Sequence, residues 1–136
     1  YNCAMYFYII YVKENSSVRG LGKSIGGVRH RISRIAENAS IYLRLWRLRR
    51  VAIFGASKTG QQYLKMCNRI GTQVEFFIDN NPAMQGRQFM GVPVYPPSYL
   101  LETASAKNIA VLIASLGRRA EMRSTLEAMN FTGEII

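Results

Sequence analysis

Chemistry-bearing residues are scarce in this chain. Among 136 residues there are two cysteines, one histidine, one tryptophan, four prolines and only eight acids against eighteen Lys and Arg. Cys3 and Cys67 lie in unrelated surroundings, one in an aromatic run and one on a predicted helix, so no disulfide framework is written here. With His30 as the sole imidazole there is no set of zinc ligands. Both cysteines read as reduced packing residues. The shortage of acids is uneven. Residues 1–50 carry a net charge of +8 and residues 51–136 only +2, together the +10 of the whole chain. A nucleic-acid-binding domain concentrates basic charge on its folded surface. Here that charge lies on the approach to the domain, which argues against nucleic acid as the partner.

The approach has three parts. Residues 1–12 are uncharged and include Met5-Tyr-Phe-Tyr-Ile-Ile-Tyr-Val12. A spanning helix takes about twenty apolar residues, so this run alone does not cross a bilayer. Its aromatics and the Arg-rich residues after it suit the end of a membrane helix with a cytoplasmic flank; a strand or a tail is the alternative. No basic n-region precedes it and no small-residue cleavage site comes closely after, so it does not fit a secretory signal. The start at Tyr1 leads us to expect a fragment. Residues 14–28 read as a Gly/Ser linker, in which Gly22-Lys23-Ser24 lacks the earlier glycine and the strand of a phosphate loop. In residues 29–50, Ile32, Ile35, Ala39, Tyr42 and Trp46 recur at helical spacing among arginines. That predicts a basic amphipathic helix, lying on an anionic membrane surface or packing its stripe on protein.

From Val51 onward, strand and helix signals alternate. Strands are predicted at Val51–Phe54, Val74–Ile78, Val92–Val94 and Ile109–Ala114, and a last one begins at Glu134. Helices are predicted over about Lys58–Arg69, Pro96–Ala104 and Arg118–Met129. Strands separated by helices pair in parallel through right-handed crossovers. The expected fold is therefore α/β, a Rossmann-like doubly wound parallel sheet with a basic helical N-terminal extension. The expected organisation is 1–12 as the end of a membrane helix, 13–50 as basic linker and helix, and 51–136 as the domain, cut short at its C-terminus.

The first predicted strand runs into Gly55-Ala56-Ser57-Lys58-Thr59-Gly60, and the second ends in Asp79-Asn80. In the Gly-x-Gly-x-x-Gly turn of dinucleotide-binding units, the first glycine makes the bend, the second admits a pyrophosphate, and the third brings helix against strand. Ser57 stands in the middle place, narrowing the approach but offering a hydroxyl to a phosphate. Lys58 adds a cation and Thr59 another hydroxyl. Asp79 is the natural ribose acceptor, favouring NAD over 2′-phosphorylated cofactors; its alternative is an Asx turn before Asn81-Pro82. Ser115 comes after the Ile109–Ala114 strand, where open α/β sheets form their ligand crevice, and Arg118 and Arg119 stand ready to meet a phosphate or merely face solvent. The candidate binding residues are Gly55, Ala56, Ser57, Lys58, Thr59, Gly60, Asp79, Asn80 and Ser115. No Gly-x-Ser-x-Gly elbow occurs, and no tyrosine has a lysine four residues later; after Tyr63 that place holds Cys67. Nothing on these elements would move a proton beside the ligand, so the domain reads as binding rather than catalytic.

The stretches Val51-Ala-Ile-Phe-Gly-Ala56, Gly60-Gln-Gln, Phe77-Ile-Asp-Asn-Asn-Pro-Ala83, Gln85-Gly-Arg87 and Gly91-Val-Pro-Val94 resemble the nucleotide-binding (CoA-binding-like Rossmann) domain of membrane-bound polysaccharide biosynthesis proteins, the nucleoside-diphosphate-sugar dehydratases and epimerases. The resemblance covers residues 50–136. It implies membrane helices before this domain, a separate catalytic domain after it, and a place on the cytoplasmic face of the membrane. The implied ligand is NAD(P) or a UDP-sugar, with coenzyme A less favoured, and the implied partners include the membrane and a second copy of the chain. Ser57, Lys58 and Thr59 depart from the family pattern. Two alternatives stay open: a non-enzymatic nucleotide-sensing or assembly module, and the Rossmann-like domain of a sugar-tailoring methyltransferase or acetyltransferase.

Overall fold

The structure, a computed structural model, describes residues 40–41, 44–45, 47–48, 50–102, 108–115 and 117–136. The apolar run 1–12, the linker and the whole amphipathic stripe, with Cys3 and His30, lie outside these residues. The chain divides into two compact units, residues 1–44 and 45–136. The second unit holds the whole sheet and every candidate binding residue.

Its elements are β1 (Arg50–Phe54), α1 (Lys58–Ile70), β2 (Gln73–Ile78), β3 (Gln88–Phe89), β4 (Val92–Tyr95), α2 (Tyr99–Glu102), β5 (Ala110–Ile113) and α3 (Arg119–Ala128). The five strands form one sheet in the order β3-β4-β2-β1-β5. β1 pairs in parallel with both β2 and β5, and β2 in parallel with β4. The chain thus builds outward from β1 to one side and then returns to place β5 on the other. Glu134–Ile136 adds to the free edge of β5: the Ile136 amide donates to the Val111 carbonyl at 2.8 Å, and Ile135 bridges Val111 in parallel. This is the Rossmann strand order, with its reversal between β1 and β5.

The expected α/β sheet is present and mostly parallel, with one antiparallel edge that the sequence did not show: β3 pairs with β4 antiparallel. The stretch between Asp79 and Val92 is a built turn and hairpin. Asn81 accepts from the Ala83 amide through its side chain at 3.1 Å, and Met90 and Gly91 form the hairpin tip at φ 53° and 79°. A two-residue loop with both central φ positive is the type I′ signature, usually written Asn-Gly. Methionine in that place hid the hairpin from a reading by sequence.

β1 and β5 are buried along nearly their whole length, as strands covered on both faces must be. On one face Ala52, Phe54, Phe76, Ile78, Val111 and Ile113 join Leu100 of α2 with Met122 and Leu126 of α3 in a single cluster. Each large apolar side chain buried this way contributes about 1.5–3 kcal/mol. Against its edge Tyr95 stacks on Tyr99, ring centroids 3.9 Å apart, and both meet Phe76 edge-on. α1 covers the other face with Leu64, Met66 and Cys67, and Phe89 of β3 meets Phe77 edge to face at 5.2 Å. Thr72 is the one buried polar residue among those described. Its hydroxyl donates to the Leu45 carbonyl at 3.1 Å, which ties the segment before β1 to the end of α1.

α1 begins and ends by named devices. Ser57 is its N-cap, accepting from the Gly60 amide, and Gly71 closes it in the left-handed conformation at φ 77°. Burial pushes the Cys67 thiol up to about 12, so it stays protonated and unreactive through neutral pH. Iodoacetamide at pH 8 should therefore leave Cys67 unmodified in the native protein and label it once urea unfolds the domain, with peptide mass spectrometry as the readout.

A Cβ placed on Gly60 would collide with the Gly55 carbonyl oxygen and stand 3.1 Å from the Phe77 ring. Gly60→Ala gains about 1 kcal/mol of helix propensity, but overpacking against backbone costs about 1–3 kcal/mol. The carbonyl belongs to the turn and cannot rotate aside, so the clash wins. We expect net destabilisation of about 1–2 kcal/mol, read from the urea midpoint, and a larger loss for Gly60→Val.

Candidate nucleotide-binding cleft

β1 delivers the chain to Gly55, which turns at φ 116°. Any side chain there would be strained, and its Cβ would stand 3.0 Å from the Ala114 carbonyl at the end of β5. The Gly55 amide donates to Ile78 at 2.8 Å and the Ala114 amide to Phe54 at 2.9 Å. The ends of β2, β1 and β5 are thereby laced together at the point where the strand order reverses.

Asp79 holds this region in place. One carboxylate oxygen accepts from the Ala56 amide at 2.8 Å, and the other from the Asn81 amide at 2.8 Å. Its own amide donates to Tyr95 and its carbonyl accepts from the Gln85 side chain at 2.8 Å. The side chain expected at a ribose thus anchors the glycine turn, and the Asx turn is present as well. Each carboxylate oxygen has two lone-pair directions, so acceptor capacity toward a ligand remains.

Ser57 is likewise engaged. Its hydroxyl accepts from the Gly60 amide at 3.3 Å and lies 3.5 Å from the Ala114 carbonyl. The sequence pointed this hydroxyl at a phosphate; in the structure it caps α1. Beyond the cap, the first-turn amides of Lys58 and Thr59 have no acceptor within their own helix, as at the start of any α-helix. Ser115 performs the matching job after β5, accepting from the Arg118 amide at 3.0 Å.

These elements enclose an open cleft of about 240 Å³, lined by Phe54, Gly55, Ser57, Asp79, Asn80, Ala114, Ser115, Arg118 and Met122. Of the nine candidate residues, Gly55, Ser57, Asp79, Asn80 and Ser115 line it. Ala56, Lys58, Thr59 and Gly60 do not; Ala56 and Gly60 shape the turn from behind, and Lys58 is exposed. Met122 was legible only as core. Its place four residues after Arg118 puts both on one face of α3, and that spacing was the available signal. The Arg118 guanidinium grips Glu121 with two bonds, Nε to Oε2 at 2.9 Å and a second nitrogen to Oε1 at 2.6 Å. That contact holds the Glu121 carboxyl below the usual range. It also raises Arg118 further, chiefly through Glu121, with a lesser contribution from Asp79 across the cleft.

The lining offers a bent backbone, a helix start, one carboxylate, two hydroxyls and one guanidinium. Among the described residues it has no histidine, cysteine or lysine. Among the described residues there is no cluster of His, Cys, Asp and Glu that would hold a metal. A cleft outside the carboxyl ends of parallel strands, at the order reversal and beside a glycine turn, defines a Rossmann-like nucleotide-binding domain. Residues 47–131 match the family described as the CoA binding domain, and the chain belongs to that family. It is also 32% identical over 110 residues to the redox-sensing transcriptional repressor Rex of Brevibacillus brevis, an alignment covering 76% of this chain and 50% of the repressor. The chain thus spans half the length of that relative. Two solved structures share the fold. They are UDP-D-quinovosamine 4-dehydrogenase from Vibrio fischeri (TM-score 0.52, 22% identity, 65% of this chain and 75% of that one) and RSP, a Rex-family repressor (TM-score 0.53, 18% identity, 76% and 51%).

Because its carboxylate organises the turn, Asp79 matters before any ligand arrives. Asp79→Ala should lower stability by about 1–3 kcal/mol in ligand-free protein, since two amides lose their acceptor. Asp79→Asn, which keeps a carbonyl acceptor, should cost less. Equal stability of all three in urea denaturation would mean that the carboxylate does not hold the turn.

Proposed function

We propose that this domain is a non-catalytic nucleotide-binding module that takes a ligand with an unphosphorylated ribose, and that occupancy is sensed rather than turned over. The observation that carries it is the pairing of a glycine turn with Asp79 at the mouth of a cleft whose lining, among the described residues, has no acid–base pair. A carboxylate beside a ribose repels a 2′- or 3′-phosphate, and like charges placed together cost several kcal/mol. NAD(H) therefore suits the cleft better than NADP(H) or coenzyme A. Sequence similarity to a protein named as a redox sensor supports the sensing reading.

A second reading, the nucleotide-binding domain of a nucleotide-sugar epimerase or dehydratase in polysaccharide biosynthesis, is favoured by the Phe77–Val94 stretch that carries the family resemblance. Its ligand would be a UDP-sugar, which also presents a free ribose diol. In that setting residues 1–50, with their net charge of +8, would meet the cytoplasmic face of a membrane, and copies of the chain would assemble there. Among the described residues no helix is long and apolar enough to cross a membrane. The Brevibacillus relative is named a transcriptional repressor; the near-neutral charge of residues 51–136 speaks against nucleic acid on this domain's own surface.

Calorimetric titration of the chain with NADH, NADPH, UDP-N-acetylglucosamine and coenzyme A separates these readings. Tightest binding of NADH supports sensing, and tightest binding of UDP-N-acetylglucosamine supports the sugar-enzyme reading. Tightest binding of coenzyme A or NADPH would show that Asp79 does not face the ribose. With NADH preferred, Asp79→Asn should raise the affinity for NADPH relative to NADH by about tenfold, through loss of the repelling charge.

A further inference from the structure

Resting on the nucleotide-binding reading, we infer that Arg118 is the phosphate-contacting cation of the cleft and that Glu121 acts as its internal competitor, so that Arg118 changes partner when a nucleotide phosphate binds. Arg118 lines the cleft together with Gly55, Ser57 and Asp79. It is the one cationic side chain there among the described residues. Lys58, the cation that the sequence offered at the glycine turn, is exposed and does not line the cleft, whereas Arg118, offered after β5, does. The guanidinium is held by both oxygens of Glu121. The two side chains are 65% and 58% exposed, so water screens the pair and it is readily broken.

Charge decides the outcome. With Asp79, Arg118 and Glu121 counted together, the mouth of the cleft carries one net negative charge, a poor welcome for an anion. A phosphate reaching the glycine turn brings more negative charge than one carboxylate and accepts the same two-pronged bond from arginine. Donors outside the Glu121 contact remain on the guanidinium for a first encounter. Glu121 stays on its helix turn and is released to solvent. The exchange breaks one ion pair and makes another, with no proton transferred. Asp79, facing the same cleft, is left to the uncharged ribose. The ligand would therefore lie with its sugar toward β2 and its phosphate toward the start of α3. The ligand class is a nucleoside diphosphate, the part that NADH carries as ADP and UDP-sugars carry as UDP.

The two residues predict opposite effects on one equilibrium, which a merely structural pair would not produce. ADP, adenosine, UDP and uridine are titrated into the wild-type chain, Arg118→Ala and Glu121→Gln, with circular dichroism confirming that each is folded. Arg118→Ala should weaken ADP or UDP binding by about tenfold or more, the loss of a hydrogen bond to a charged group. Glu121→Gln should tighten it by about two- to fivefold, the scale of an exposed ion pair. Adenosine and uridine, which lack the phosphates, should bind all three alike. Wild-type binding of ADP or UDP that ignores both substitutions overturns this inference while leaving the nucleotide reading intact. Tightening by Arg118→Ala, or weakening by Glu121→Gln, overturns it too. A folded wild type that binds neither diphosphate overturns the nucleotide reading and this inference with it.

Discussion

The approach of α1 to β1 is the constraint on which the rest of the site depends. The Gly55 carbonyl sits where a Gly60 side chain would begin. Only glycine at 60 lets the helix start directly behind the turn. Only a residue free to adopt φ 116° at 55 lets the turn be that tight. Separate the two by one methyl group and the first-turn amides of α1 move away from the end of β5. The cleft is defined by that distance, so packing and site are one problem here.

Asp79 shows the same economy. Its carboxylate spans from the turn after β1 to the turn after β2, and its backbone binds Tyr95 at the end of β4. The hairpin beyond it packs Phe89 on Phe77, which fixes the end of β2 from the opposite face. A sequence motif shared with other nucleotide-binding proteins is thus also an internal hydrogen-bond hub. A carboxylate at this place has a structural role with or without a ribose. That is why substitution at Asp79 has to be read in stability as well as in affinity.

The charged residues divide by role. Arg50 and Glu75, at the opening ends of β1 and β2, make a 2.7 Å pair far from the cleft, next to the register shift between Val51 and Ala52. Arg118 and Glu121 make their pair at the cleft itself. Both are partly exposed, so neither accounts for the fold, which rests on apolar burial across two sheet faces. Position alone separates the two: one pair joins the opening ends of neighbouring strands, and the other stands at the cleft.

The α/β succession and the location of the glycine turn were legible along the chain. Buried strands of β-branched and aromatic residues, helices with a 3.6-residue apolar period, and glycines at 55 and 60 are local signals, and local physics produces the elements they mark. The strand ends fell within a residue or two of those observed. Contacts between distant segments were settled only when the sheet assembled. Asp79 finds Ala56 across 23 residues, and the Ser57 hydroxyl comes to lie beside the Ala114 carbonyl across 57. Arg118 comes to face the cleft beside Asp79, and the Met90-Gly91 tip folds β3 back antiparallel. The long-range contacts have no period or spacing that a sequence could display, because a hydrogen bond between residues far apart in the chain exists only once strand order has brought their elements side by side.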